Sequence, residues 1–165
     1  MSINEINKVV HLIYELLAAS QKDIQNKPAI AEESMPVYGF PADKFFMANL
    51  IREGIPYSVF NLVHDLVPFS DNDWAQLFDI STKTLFRYKQ SQKKFSAIHS
   101  EKILEMAEVT VMGLEVFNDM SKFKLWLDTP NYALGNLKPL GLISDSYGKE
   151  LVMAELSNIN QGIFA

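Results

Sequence analysis

From Pro41 almost to the C-terminus, apolar residues recur at intervals of three and four, and no alternating run flanked by hairpin turns interrupts them. Phe45, Phe46, Leu50 and Ile51 begin the pattern; Val59, Phe60, Val63 and Leu66 continue it, followed by Trp74, Leu77 and Phe78. This periodicity dictates an all-α fold. With 48% hydrophobic residues in a length of 165, the chain can bury a core of its own and divides into one or two small domains. It contains no Cys, which excludes disulfides, thiolate metal sites and a cysteine nucleophile and suits a reducing compartment. No apolar run reaches the ~18 residues of a membrane span, and the N-terminal region lacks the basic-then-apolar layout of a signal peptide. A cytoplasmic protein is expected.

Upstream of Pro41 the pattern differs. Ile3 to Ala19 carries a stripe of Ile3, Ile6, Val9, Val10, Ile13, Leu16 and Leu17, with Glu5, Lys8 and Glu15 off it, which predicts an amphipathic helix. Gln21 to Pro41, with Pro28, Pro36, Gly39 and Pro41, reads as a linker. The expected division is therefore an N-terminal helix and linker at 1–40, a central domain at 41–119 and a small helical domain at 120–165. The stripe of the first helix meets either a second copy of the chain or its own core.

The net charge of −5 opposes nucleic-acid binding until it is divided along the sequence. Lys83, Arg87, Lys89, Lys93 and Lys94 form a basic island without an acid, and a Debye length of about 8 Å screens the distant carboxylates from it. The island coincides with a helix-turn-helix pattern in Asp71 to Gln90. Ala75 is the small residue where the second helix approaches the first, and Trp74, Phe78, Ile80, Leu85 and Tyr88 take the inward positions. Ser70 with Asp73, and Ser81, mark the two helix starts. Asp79 stands where the turn usually has Gly, and left-handed Asp costs on the order of 1 kcal/mol more than Gly. In this motif the second helix enters the major groove. Thr82, Lys83, Thr84 and Arg87 are the expected base readers, Lys89, Lys93 and Lys94 are expected near phosphates, and Ser81 at the helix start is counted among the DNA-binding residues.

The last third of the chain holds F-K-L-W-L-D-T-P-N-Y-A-L-G-N-L-K-P-L, Phe123 to Leu140, followed by Gly148, Val152, Leu156 and Gly162. This resembles the toxin-binding region of the Xre/MbcA/ParS-type bacterial antitoxins, whose pattern reads roughly W-L…P-N…L-G…P-L…G…V…L…G. The resemblance extends upstream through S-T-K-T-L-F-R-Y, Phe95-Ser96 and Ser100-Glu101-Lys102-Ile103 to cover about Ile55 to Ala165. Family members usually carry more arginines on the recognition helix. What the resemblance implies is an antitoxin of a type II toxin-antitoxin pair, in which the central motif represses the shared operon and the C-terminal region blocks a toxin. Toxins paired with this family commonly have the RES domain and degrade NAD, or modify targets by ADP-ribosylation. The implied toxin-binding residues are Asn131, Lys138, Leu151, Leu156, Ile159, Gly162, Ile163, Phe164 and Ala165. A homodimer, or a hetero-oligomer with the toxin, is expected. The alternative class is a stand-alone transcriptional regulator whose C-terminal region dimerises or senses a ligand.

Little else carries chemistry. His11, His64 and His99 are scattered without metal-ligand spacing, and Gly135 to Pro139 lacks a phosphate-cradling pattern. Glu32-Glu33 and Asp71/Asp73 have no partner that would split them into acid and base. No enzyme and no cofactor are expected. Trp126 is expected to bury against the last helix, which should begin near Ser144. Gly148 within that helix implies a close backbone approach, since Gly there costs about 1 kcal/mol relative to Ala. Gly162 is expected to end the helix.

Overall fold

The computed structural model describes residues 44–163. The expected helix at Ile3 to Ala19, the linker, Phe164 and Ala165 lie outside them. Among the described residues there are eight α-helices and no strand: α1 (Lys44–Glu53), α2 (Tyr57–Leu66), α3 (Asp71–Leu77), α4 (Thr82–Ser91), α5 (Ala97–Phe117), α6 (Met120–Asp128), α7 (Pro139–Leu142) and α8 (Ser146–Asn160). A single 3-10 turn, Tyr132–Leu134, sits between α6 and α7. The all-α expectation holds.

The organising element is α5. At 21 residues it is the longest helix among the described residues, and it packs on α1, α2, α6 and α8. Ile103, Met106 and Val109 along it are fully buried, so it supplies one continuous core to both ends of the molecule. Ser96 caps its start by accepting from the His99 amide, and Asn118 ends it in the left-handed conformation.

The chain just before α5 is laced to the chain just before α2. The Phe95 amide donates to the Ile55 carbonyl at 2.8 Å, and the Ile55 amide donates to the buried Ser100 hydroxyl at 2.9 Å. Gly54 permits this: its φ is +81°, and a Cβ there would overlap the Phe95 carbonyl. Between these tied points α2, α3 and α4 close around an aromatic core. Trp74 meets Phe60 edge-on at 5.0 Å and Phe69 at 5.8 Å, while Phe60 and Phe78 both lean on Phe95. Such pairs contribute about 0.5–1.5 kcal/mol each beyond their buried area.

The C-terminal elements return along α5. Val152 and Leu156 of α8 are fully buried, and the Lys149 ammonium pairs with the Glu108 carboxylate of α5. Gly148 is the close approach read from sequence, since a Cβ there would overlap the Leu142 carbonyl at the end of α7. Helix α8 begins two residues later than expected. Asp145 caps it by accepting from the Gly148 amide at 2.9 Å, while the Ser144 hydroxyl turns back to the Gly141 carbonyl. Trp126 is half-buried, but its aromatic neighbours are Phe117 at 5.7 Å and Phe123 at 6.2 Å, which belong to α5 and α6 rather than to the last helix.

Candidate functional site

Two surfaces emerge from this frame, one on α4 and one on the C-terminal elements. The first begins at α3. Ser70 and Asp73 form a reciprocal capping box, with the Ser70 amide donating to the Asp73 carboxylate at 2.7 Å and the Asp73 amide donating back to the Ser70 hydroxyl at 3.3 Å. The turn then runs through Asp79 at φ 52°, the left-handed value anticipated for that position. The Ile80 amide closes the turn on the Ala75 carbonyl at 3.0 Å. Ser81 caps α4 by accepting from the Thr84 amide at 3.1 Å.

Helix α4 is held from below by Leu85, which is buried, and by Tyr88, whose ring lies parallel to Phe95 at 4.6 Å. Successive residues of a helix turn by about 100°, so these anchors leave Lys83, Phe86, Arg87 and Gln90 facing outward. All four are exposed. Of the expected base readers, Lys83 and Arg87 are thus presented together, while Thr82 is exposed on the side of the neighbouring cleft. Ser81 and Thr84 face each other across the helix start, their hydroxyls 2.9 Å apart, and hold the cap. Lys93 and Lys94 are exposed just beyond the helix.

Lys89 differs from the other cations. It lines a cleft of about 300 Å³ together with Tyr57, His64, Asp65 and Asp71, so two carboxylates share its surroundings. His64 Nε2 lies 2.9 Å from Asp71 and Nδ1 lies 3.6 Å from Asp65. Burial, with Asp71 and Asp65 adding to it, pushes the Tyr57 hydroxyl above its ordinary pKa. Among the described residues no group of His, Asp and Glu has the makings of a metal site.

The second surface is built on the turn after α6. Asn131 fixes it. Its side-chain oxygen accepts from the Ala133 amide at 2.8 Å, its Nδ2 donates to Glu155 of α8 at 3.3 Å, and its backbone amide donates to the Leu137 carbonyl at 3.0 Å. The Asn131 side chain therefore bonds within the chain through both its oxygen and its nitrogen, and so positions the turn. Leu156 is fully buried in the core and so offers no surface to a partner. Lys138, Leu151 and Ile163 are exposed, Ile159 is half-buried, and Gly162 leaves α8 at φ 72°.

Three residues that sequence reasoning missed join this surface. Tyr147 is 82% exposed and Tyr132 80%, and Leu137 stands clear beside them in the turn. Tyr147, Leu151 and Glu155 succeed one another at one-turn spacing on α8, and Glu155 is the residue that Asn131 grips. Tyr147 and Leu151 therefore share one side of α8, and Tyr132 and Leu137 stand exposed in the turn that Asn131 ties to that helix. The signal available in sequence was a Tyr beside Gly148 and one beside Asn131, off the buried spacing of Gly148, Val152 and Leu156.

Comparison with known proteins finds two family domains in the chain. The antitoxin Xre-like helix-turn-helix domain matches residues 47–108, and the antitoxin Xre/MbcA/ParS C-terminal toxin-binding domain matches residues 112–162. The two stretches meet within α5. A protein of Photorhabdus laumondii subsp. laumondii named antitoxin Xre is 25% identical over 141 residues, covering 82% of this chain and 95% of its own. With a capped helix-turn-helix, a helical C-terminal unit and matches over about two thirds of its length, the chain belongs to the Xre-type antitoxin family and carries both that family's helix-turn-helix domain and its toxin-binding domain.

Proposed function

We propose that this chain neutralises a RES-domain, NAD-degrading toxin in the cytoplasm and represses the operon that encodes them both. The observation that carries the reading is the exposure of Tyr132, Leu137, Tyr147 and Leu151, all within the stretch matched by the toxin-binding domain. Four large apolar side chains on one small unit gain little from water and much from a partner surface, and Tyr is enriched where interfaces bury their energy. Inhibition is steric. This surface docks beside the toxin's nucleotide cleft, and the end of α8 with the Ile163 tail covers it, so the antitoxin itself transforms nothing.

Repression rests on α4. Lys83 and Arg87 sit on its outward side, where the second helix of this motif meets the groove. Two copies of the chain present two such helices to half-sites about one duplex turn apart. Repression and neutralisation occupy different surfaces, so each survives loss of the other.

The experiment is co-expression with the product of the adjacent gene, following growth, cellular NAD and co-purification. The full chain should co-purify with that product and restore growth and NAD. Removing residues 159–165 should release the toxin, with growth arrest and a fall in NAD. Arrest without that fall points to an ADP-ribosylating toxin, and full protection by the truncated chain would sink the proposal.

A further inference from the structure

Phe86 is an apolar ring on the outward side of α4, next to the cleft that Lys89 lines, and neither the core nor the helix cap uses it. Leu85, next to it, is buried and Tyr88 stacks on Phe95, yet Phe86 keeps 56% of its surface exposed. At helical spacing Lys83 and Thr82 stand one turn before it, Gln90 one turn after, and Arg87 beside it. Phe86 also borders the cleft that holds Asp65, Asp71 and Lys89, with Leu85 and Tyr57 among its other walls, yet most of the ring stays in water. Those carboxylates also turn phosphate away from that flank, so a duplex resting on α4 meets its cations at Lys83 and Arg87 and its base edges at the ring between.

We infer that Phe86 reads the C5-methyl group of thymine in the major groove. The inference rests on the DNA-binding half of the proposed function. A phenyl ring has no donor or acceptor and so cannot distinguish guanine, cytosine or adenine by hydrogen bonding. The apolar group on a base edge in the major groove is the thymine methyl, and apolar side chains contact it. Phe86 thus sets a preference for thymine opposite the middle of α4, while Lys83, Arg87 and Gln90 supply the polar contacts on either side.

The test uses the full chain and a duplex from upstream of its own gene, made once with thymine and once with deoxyuridine, which lacks the methyl. Wild type should bind the deoxyuridine duplex about fourfold more weakly for each methyl that the ring covers. Phe86→Ala should bind the two duplexes equally, at about the wild-type affinity for deoxyuridine, with an unchanged salt slope because every phosphate keeps its cation. Phe86→Leu, still apolar, should keep part of the discrimination. Circular dichroism melts check that the variants fold. Equal discrimination by wild type and Phe86→Ala overturns the inference and leaves DNA binding standing, as does indifference of wild type to the methyl. Absence of any binding by wild type overturns both.

Discussion

Single residues in this chain take roles that their neighbours make specific. Asp79 closes the turn between α3 and α4 in the left-handed conformation, at φ 52°. A side chain there costs on the order of 1 kcal/mol more than Gly, and the side chain is exposed. Asp79→Gly should therefore raise the unfolding free energy by about 0.5–1 kcal/mol, partly offset by the greater freedom of Gly in the unfolded chain. Denaturant unfolding measures it; a variant less stable than wild type would show that the Asp79 side chain holds the turn. Asn131 is the opposite case. Its amide joins the turn to Glu155 and to Ala133, and its value to the toxin-binding unit is positional.

At the scale of elements, α4 owes its placement to Leu85 and to the Tyr88–Phe95 stack, which leave its cations in water. Lys83→Glu should abolish binding to promoter DNA with little change in thermal stability. A milder variant, Lys83→Gln, should flatten the plot of log affinity against log salt by about 0.9 for each phosphate that the lysine neutralises. A wild-type slope in Lys83→Gln would mark the basic island as a solvated face. The helix-turn-helix was legible in the sequence because its constraints are local: Ser70 with Asp73, Ser81, Ala75 and the Gly-like place of Asp79 sit at fixed spacing. The C-terminal site was legible only as a region. Pattern located α8 and the close approach at Gly148, but not which apolar residues its own core would take. Leu156 went inside, Tyr147 and Tyr132 stayed out, and Trp126 found Phe117, because those outcomes depend on where α5 and α6 lie. Long-range packing chose the face; the sequence carried only its candidates.

Across the whole molecule, α5 is common to both surfaces. It continues from the aromatic core under α4 to the Glu108–Lys149 pair and the buried side of α8, and the two family domains meet inside it. The surfaces proposed to meet DNA and toxin are nevertheless built from different residues, Thr82 to Gln90 for one and Tyr132 to Leu151 for the other. Mutations confined to either should leave the other working, since exposed substitutions away from core and caps usually change stability by no more than about 0.5 kcal/mol. The most direct measurement is a double substitution, Tyr147→Glu with Leu151→Glu, co-expressed with the toxin and assayed for growth, NAD and promoter binding. Both side chains are exposed, so the fold should persist. Cleft blocking through this face predicts growth arrest with a fall in NAD while promoter binding stays at the wild-type level. Full protection by the double variant would contradict it.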